Sequence, residues 1–410
     1  MDLKRIILIW SENIQEFNMV HSIAFALDKF GRYAGGAESY ALALAESFVK
    51  KGWEVHLFAQ EWDGYPEQAI FHRIVVPKYL PAWLKMLVFA FKHRKMVLAT
   101  GLDVVVGFGN TIYMNVYQTH GGVHRYSTAR KCFSIENPLL RLLKRFFILL
   151  SMKDKMRNWI ESSPFRLSLR PRIIAISQMV IDDFATAFKV PSSEVDLVYN
   201  GIDLDRFNPV VRRKYRGPLR AELDVGEREV LFLFLSYTLR KKGLFVLLSA
   251  AAILQRKHKG RFKVVVVGRK PGNRIMARVK KMNLDDIVIF PGPTTTPEVY
   301  FANADVFVLP TYYDTCSLVT IEAMACGVPA ITTEYNGAAG IIDSGVDGHV
   351  IMHPPEAEEL SAVMSVYLDS KTLDEMSFRA AGKAQAYSSK KNHEEVIRIC
   401  SEVAMVKHDS

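Results

Sequence analysis

Short apolar runs alternate with amphipathic segments along most of the chain, and the clearest example lies between residues 305 and 333. Val306–Leu309 is the continuous apolar run of a buried parallel strand, and Pro310 ends it because proline lacks a backbone donor. Leu318–Ala325 predicts a short helix that begins after Ser317 and stops before Gly327. A second strand is expected over 329–332. This order of strand, loop, helix and strand is typical of a parallel α/β fold.

The same alternation predicts elements on both sides of that stretch. Two apolar runs compete to be the first strand, 5–10 and 21–27, and we favour the second because a glycine loop, a helix and another strand follow it. Residues 1–20 are then an extension, with Met19 as an alternative initiator. Further strands are expected at 104–107, 116–119, 172–176, 196–199, 230–236 and 263–267, and helices at 244–255 and within 373–406.

The segment after Pro310 has the features of an anion site. The first N–H groups of a helix lack partners inside the helix, so those of Leu318, Val319 and Thr320 are expected to face the crevice at the carboxyl ends of the strands. Glu322 is an isolated charge in a small apolar helix, and a carboxylate there suits the paired hydroxyls of a ribose. Asp314 precedes the helix and would hold another part of the ligand. The alternative is a solvated loop aspartate and a surface glutamate.

A basic loop, SYTLRKKG, follows the strand 230–236 and leads into the helix 244–255. Arg240, Lys241 and Lys242 would then lie at the carboxyl end of a strand, where cations suit a diphosphate. The alternative reading of such a charge run is an ordinary solvated surface.

The chain has an acidic residue at 314, seven intervening residues, Glu322, and then the run Ala-Met-Ala-x-Gly-x-Pro from 323 to 329, and this pattern resembles the signature of family 4 glycosyltransferases. The resemblance implies the GT-B architecture, an α/β fold with two Rossmann-like domains facing each other across a cleft. It also implies a nucleotide-sugar donor, with Asp314 contacting the transferred sugar and Glu322 the ribose. One departure is that the family usually has Glu at the first position.

The resemblance extends to further residues. The Arg-x-Lys-Gly pattern at 240–243 resembles the donor-phosphate motif of the family. The resemblance implies that Arg240 and Lys242 bind the donor phosphates and that Lys241 lies outside the site. His120, in a VYQTHGGVHR run, lies where the family has a histidine near the reacting sugar, although a lone histidine is more often structural. The remaining expected donor contacts are Gly35 and Gly36 near the diphosphate, Gly268, Arg269 and Ile289 around the base, and Ser317, Leu318 and Val319 at the helix start.

At 410 residues the chain is too long for one ordinary core. The run NGIDLDRFNP (200–209) resembles the interdomain segment of the family and favours a boundary near residue 210, with the basic stretch 211–220 as a surface connection. The predicted domains are an extension at 1–20, an acceptor-binding domain at 21–210, a donor-binding domain at 211–380, and a C-terminal helix at 381–410 that returns to the first domain.

Cofactor motifs are not found in the sequence. There is no Asp-x-Asp pair at a strand end, no zinc spacing and no Walker-type loop, so we expect no metal and no cofactor besides the nucleotide-sugar substrate. The four cysteines are scattered, which favours a reducing compartment. The resemblance implies a retaining enzyme in which the departing phosphate helps to deprotonate the acceptor.

The formal net charge is +10, of which residues 1–200 carry +7. Two basic and apolar stretches, 79–102 and 138–162, have the composition of helices that contact anionic membranes. Alternatively, they are core helices with basic outer faces. No signal or spanning segment is apparent, and the YYDTCSLVTIEAMACG form resembles lipopolysaccharide core glycosyltransferases. These features predict a cytoplasmic enzyme, peripheral on the inner membrane, that acts on a lipid-linked or envelope saccharide.

Two other classes of function remain open at this point. A calculated pI of 9.2 allows a nucleic-acid-binding protein, but no recognised module is present and the basic stretches contain many aliphatic residues, so no nucleic acid is expected as a partner. A catalytically silent sugar-nucleotide-binding protein is the other alternative, and the aspartate at position 314 is its only support.

Overall fold

The computed structural model describes residues 20–31, 36–166 and 170–408, and it divides into two compact units. The first unit contains the described residues up to Thr119, together with Met152–Ile174 and the chain from Glu395 onward. The second contains His120–Ser151 and Ala175–Glu394. The extension at 1–19 with Met19, the rejected strand 5–10 and the predicted site residue Gly35 lie outside the described residues.

The strands are short and follow one another with helices between most of them. They are β1 (Ser22–Ala26), β2 (Lys29–Phe30), β3 (Glu54–Ala59), β4 (Glu61–Trp62), β5 (Ile70–Arg73), β6 (Val104–Gly107), β7 (Val116–Gln118), β8 (Arg172–Ala175), β9 (Val195–Leu197), β10 (Val230–Ser236), β11 (Phe262–Gly268), β12 (Val288–Gly292), β13 (Val306–Leu309), β14 (Ala330–Thr333) and β15 (Gly348–Ile351).

The helices vary from a single turn or so to 20 residues. They are α1 (Gly36–Lys50), α2 (Ala82–Thr100), α3 (His124–Lys131), α4 (Pro138–Leu150), α5 (Met152–Arg166), α6 (Gln178–Phe188), α7 (Pro209–Tyr215), α8 (Pro218–Glu222), α9 (Leu244–Lys257), α10 (Asn273–Lys281), α11 (Pro297–Asn303), α12 (Leu318–Ala325), α13 (Ala357–Val366), α14 (Ser370–Ala384) and α15 (Ser389–His408). Single turns of 3₁₀ helix occur at Cys132–Ser134, Ser192–Glu194 and Gly337–Ile341.

The first unit is built on a parallel sheet with the strand order β5, β3, β1, β6, β7, β8. The strand β1 lies in its centre, where Ser22 pairs with Glu54 and Ile23 pairs with Val104. Phe25 of this strand is fully buried. The prediction of a strand within 21–27 is therefore confirmed, and its apolar run without polar alternation is typical of a central parallel strand.

The second unit contains a six-stranded parallel sheet with the order β12, β11, β10, β13, β14, β15. After β10, the chain forms β11 and then β12 on one side of it. The chain then crosses to the other side of β10 to form β13. The strand order thus reverses between β10 and β13. Such a switch point opens a crevice at the carboxyl ends of the strands, where α/β proteins bind ligands.

The basic stretch 211–220 differs from the prediction of a surface connection. It forms α7 and α8, and three of its arginines surround one carboxylate: Asp305 accepts from Arg212 at 3.1 Å, from Arg216 at 2.7 Å and from Arg220 at 2.9 Å. Burial acts to raise the pKa of Asp305, but the guanidinium groups of Arg216 and Arg220 and the Leu231 N–H outweigh it and lower the pKa. Mutual repulsion among these three arginines therefore does not keep them away from the core, because all three pair with the same buried carboxylate.

Candidate functional site

The loop that carries Asp314 runs from the end of β13 to the start of α12. Its backbone is fixed on both sides, since the Asp314 N–H donates to the Tyr335 carbonyl at 2.9 Å and the Gly337 N–H donates to the Asp314 carbonyl at 2.8 Å. The loop is also held by Ser177, whose hydroxyl donates to the Thr315 carbonyl at 2.7 Å. Asp314 is thus a half-buried carboxylate on a fixed backbone at the carboxyl end of the sheet.

The start of α12 is held by a residue that the sequence analysis did not single out. Ser317 occupies the predicted N-cap position, but its hydroxyl makes no capping bond. The Ser317 N–H instead donates to Oδ1 of the fully buried Asn336 at 3.2 Å, and the Asn336 amide donates to the hydroxyls of Thr332 and Thr320. Ser317 thus holds the predicted N-cap position without the predicted side-chain bond, and Asn336 fixes its backbone instead.

This arrangement changes which donors remain at the helix start. The Thr320 N–H, predicted to face the crevice, donates to the Ser317 carbonyl at 3.1 Å. Leu318 and Val319 retain first-turn N–H groups, which have no acceptor within an α-helix. The buried Ser317 Oγ has no hydrogen-bond partner among the described residues. Three donors thus lie together at the positive end of the α12 dipole, a suitable place for an anion.

The basic loop after β10 reaches the Asp314 loop directly. Lys242 Nζ forms an ion pair and hydrogen bond with Asp314 Oδ2, and both side chains are about one-fifth exposed. Gly243 has a φ of +88°, and a Cβ there would lie 2.0 Å from the Pro310 carbonyl oxygen. Glycine is needed at this position because both the backbone conformation and the close approach to the β13 end exclude a side chain. The Arg-x-Lys-Gly motif therefore places its lysine on Asp314.

Glu322 lies on α12, half-buried, next to a charged pair that the sequence analysis also missed. Arg206 of the NGIDLDRFNP segment donates to Glu298 at 2.7 and 3.0 Å. Burial raises the pKa of Glu322 to about 7, with Arg206 lowering it and Glu298 raising it. A partly buried carboxyl group whose pKa lies near neutral pH, and whose charge is only weakly balanced by nearby cations, is typical of a ligand site.

His120 lies on the loop that follows β7 and touches the loop of Asp314. Its carbonyl accepts from the Thr315 hydroxyl at 2.7 Å. Two residues later, Gly122 has a φ of +62°, and a Cβ there would lie 2.0 Å from the Tyr313 hydroxyl. Burial lowers the pKa of His120 to about 4, so the imidazole is neutral at ordinary pH. A neutral imidazole suits hydrogen bonding to hydroxyl groups rather than charge pairing with phosphate.

Arg240 and Arg269 line a cavity of about 710 Å³ in the second unit. The Arg240 Nε donates to the Ser134 carbonyl at 3.1 Å. The basic residues in the cavity lining are Lys131, Lys144, Arg240, Lys241, Arg269 and Lys270, and the lining has no acidic residue. The charge of the lining therefore suits an anionic ligand, and Lys241, which the motif excluded, is part of the cavity wall.

The predicted site residues thus fall into groups. Lys242, Asp314, Ser317, Leu318 and Val319 meet at the start of α12, with the loop of His120 packed against them. Arg240 and Arg269 lie on the cavity, while Gly268 ends β11 and Ile289 lies within β12. Gly36 begins α1 in the first unit. These placements leave the individual ligand roles as predictions.

Comparisons with known proteins give a consistent picture. Residues 216–385 match the family described as Glycosyl transferases group 1, and residues 34–206 match Glycosyltransferase Family 4. A D-inositol 3-phosphate glycosyltransferase of Arthrobacter sp. (strain FB24) is 29% identical over 53% of this chain and 52% of its own length. The chain thus spans about half the length of that relative. The lipopolysaccharide glucosyltransferase WaaG of Escherichia coli (strain K12) is 23% identical over 86% of this chain and 90% of its own.

Solved structures show the same architecture. A crystal structure of WaaG, a glycosyltransferase involved in lipopolysaccharide biosynthesis, superposes with a TM-score of 0.74 at 21% identity and covers 92% of this chain and 99% of its own. Anabaena Alr3699/HepE in complex with UDP-glucose gives 0.65 at 18% identity, covering 93% and 99%. The fold is therefore the GT-B architecture with two Rossmann-like sheets, as predicted. The chain belongs to the group 1 glycosyltransferases of family 4.

Proposed function

We propose that this protein transfers a hexose or heptose from a nucleoside-diphosphate sugar to a saccharide acceptor, with retention of anomeric configuration and without a metal ion. The observation that carries the proposal is the ion pair between Lys242 and Asp314 beside the start of α12. It brings together a cation suited to a diphosphate and a carboxylate suited to sugar hydroxyls, from two separate loops at the switch point of one sheet.

The donor would be held by several parts of the second unit. The N–H groups of Leu318 and Val319 and the Ser317 hydroxyl suit the diphosphate, and the Glu322 carboxylate accepts from two adjacent ribose hydroxyls. When the diphosphate engages Lys242, Asp314 loses that partner and becomes available to the transferred sugar. Donor binding therefore replaces the ion pair of Lys242 with Asp314 by an ion pair of Lys242 with the diphosphate. This exchange limits the free-energy cost of removing the lysine and the diphosphate from water.

The transfer itself depends on charge stabilisation. As the bond from the anomeric carbon to the leaving phosphate oxygen lengthens, negative charge grows on the diphosphate, and Lys242 and Arg240 neutralise it. The acceptor hydroxyl approaches the same face, and its proton passes to the departing phosphate oxygen. No nucleophilic carboxylate is needed, in contrast to retaining hydrolases, which place two carboxylates across the bond. Neutral His120 would orient hydroxyl groups of the sugar or acceptor.

The relatives guide the choice of substrates. One similar structure is a complex with UDP-glucose, and the similar E. coli protein is a lipopolysaccharide glucosyltransferase. We propose lipopolysaccharide core, or a related lipid-linked envelope saccharide, as the acceptor, and a peripheral position on the cytoplasmic face of the inner membrane. A lipid-linked acceptor requires the enzyme to work at a lipid surface, and the basic character of the chain suits such a surface.

The test is a transfer assay with a panel of UDP-, GDP- and ADP-sugars and truncated lipopolysaccharide cores as acceptors. Release of the nucleoside diphosphate measures turnover, and NMR of the product gives the anomeric configuration. Lys257→Ala is the matched control for Lys242→Ala, since it removes an exposed lysine from the last turn of α9 and leaves the partner of Asp314 in place.

Acceptor-dependent turnover with retained configuration, lost in Lys242→Ala and kept in Lys257→Ala, is the expected result. Tight nucleotide binding without turnover on any acceptor would contradict the proposal and favour a silent sugar-nucleotide-binding protein. An inverted product would overturn the proposed mechanism while leaving the donor site in place.

A further inference from the structure

The helix α4 presents an unusual amount of apolar surface to solvent. None of its 13 residues is buried. Eight of its nine large apolar side chains are between 44% and 71% exposed, and these are Leu139, Leu140, Leu142, Leu143, Phe146, Phe147, Leu149 and Leu150. Scattered exposed apolar side chains are common, but a contiguous set of this size on one helix indicates an interaction surface.

The two sides of α4 are chemically different. At about 100° per residue, the eight exposed apolar side chains cover about half of the helix circumference. Arg141 and Ile148 lie on the opposite side and are half-buried, with the Arg141 Nε donating to the Ile135 carbonyl at 3.0 Å. The helix therefore rests on the protein by this side and turns its apolar side outward.

Two exposed cations flank the apolar side. By helical spacing, Lys144 lies along one edge of it and Arg145 along the other, and both are exposed. Pro138–Leu150 has no acidic residue. Cations at the edges of an apolar face can reach lipid phosphates while the apolar side chains enter the acyl region.

The length of α4 determines how it could meet a bilayer. Thirteen residues extend for about 20 Å, less than the roughly 30 Å of a hydrocarbon core. Among the described residues, no helix combines the length and apolar character needed to cross a membrane. A lipid-bound α4 would therefore lie in the plane of the interface.

The other basic segments predicted to contact a membrane differ from α4. In α2, Phe89, Ala90, His93 and Val97 are buried, so that helix uses much of its apolar surface in the core of the first unit. In α5, Ile160, Glu161, Ser163 and Pro164 are buried. The basic and apolar composition of α2 and α5 resembles that of α4, but both helices have buried residues and α4 has none.

We propose that α4 alone docks this protein on an anionic lipid bilayer, lying in the interface with its apolar side in the acyl region and with Lys144 and Arg145 on lipid phosphates. A second copy of the chain fits the same surface less well, because two such helices would bring like charges together. The proposal deepens the function proposed above by naming the surface that brings the enzyme to a lipid-linked acceptor. Lys144 and Ile148 of α4 also line the cavity that contains Arg240, so the docked lipid would border the proposed donor site.

The experiment is flotation of the full chain with vesicles of phosphatidylcholine alone and of equal parts phosphatidylcholine and phosphatidylglycerol. The apolar variant is Leu142→Ser with Phe146→Ser, and the charge variant is Lys144→Gln with Arg145→Gln. The matched control, Phe91→Ser with Leu98→Ser, removes two similarly exposed apolar side chains from α2. Thermal stabilisation by nucleotides is measured on every variant as a separate report on folding and on the donor site.

We expect the wild type and the α2 control to float with the anionic vesicles, and the apolar variant to remain unbound. The charge variant should lose most of its preference for anionic lipid, about fivefold in affinity for each cation removed. Equal flotation of the wild type and the apolar variant would overturn the proposal. It would also be overturned if the wild type formed a dimer and the apolar variant were a monomer. If the wild type floats with anionic vesicles but no nucleotide stabilises it, the result would contradict the proposed donor site and still support α4 as the lipid-binding surface.

Discussion

Two helices of the second unit, α4 and α12, are both strongly apolar in sequence but have opposite surroundings. In α12, Thr320, Ile321, Ala323, Met324 and Ala325 are buried, and the only charge, Glu322, is half-buried. In α4 no residue is buried. Apolar content alone therefore does not say whether a helix builds a core or offers a surface, and the difference predicts how each will respond to substitution.

The largest contrast is expected in stability. Ile321→Ala should lower the free energy of unfolding by about 2–5 kcal/mol, because it leaves a cavity in a fully packed region. Leu142→Ala, which removes a side chain of equal size from α4, should change it by no more than about 0.5 kcal/mol. Urea unfolding followed by circular dichroism measures both. Similar losses for the two variants would mean that α4 is covered in the folded protein.

A second contrast concerns activity. Lys242→Ala removes the partner of Asp314 and a donor to the leaving diphosphate, and we expect kcat/KM to fall by about 100-fold or more. Leu142→Ala should leave turnover on a soluble, short-chain acceptor unchanged. Steady-state release of nucleoside diphosphate gives both numbers, and a Lys242→Ala enzyme that retains wild-type kcat/KM would contradict the assigned role.

Two asparagines beside the starts of these helices sharpen the comparison. Asn336 is fully buried and accepts from the Ser317 N–H just before α12, whereas exposed Asn137 caps α4 by accepting from the Leu140 N–H at 3.1 Å. Asn336→Ala should cost about 1–3 kcal/mol since it leaves buried donors unpaired, and it should also weaken nucleotide binding. Asn137→Ala should cost about 1 kcal/mol and leave nucleotide binding unchanged. Denaturant unfolding and nucleotide titration of both variants check this, and equal effects on nucleotide binding would remove Asn336 from the site.

The smallest effect is a pH dependence that α12 should show and α4 should not. Folded Glu322 holds its proton up to a pKa of about 7, against an ordinary value of 4.5. Between these pH values the folded state binds more proton than the unfolded state, so the free energy of unfolding should fall as pH rises. Glu322→Gln should flatten this slope. Nucleotide binding, which needs the ionised carboxylate, should strengthen as pH rises through about 7, and a wild-type profile identical to that of Glu322→Gln would contradict the assignment.

Sequence reasoning located the strands and helices around the site well. The predictions of 306–309 as a strand and 318–325 as a helix agree with the observed bounds, because the apolar runs there match the period of one element and end at proline or glycine. The prediction of 230–236 also agrees. Lys242 and Asp314 were each predicted as site residues at the carboxyl ends of strands, but the ion pair between them was not predicted.

Long-range polar contacts could not be predicted in the same way. No periodicity marks the contacts that join residues distant in the sequence: the hydrogen bond from Ser317 to Asn336, the pair of Arg206 with Glu298, and the arginines around Asp305. The exposure of α4 was equally hidden, since basic and apolar composition is shared by core helices and by surface helices.

The central claim is that the carboxyl ends of the second sheet bind a nucleotide sugar. The most direct measurement is thermal stabilisation of the wild type, Glu322→Ala and Arg240→Ala by a panel of nucleoside diphosphates and nucleotide sugars, since a ligand that binds only the folded state raises the midpoint. We predict stabilisation by one nucleoside diphosphate and its sugars, lost in both variants. No shift with any nucleotide, or equal shifts in wild type and variants, would contradict the account.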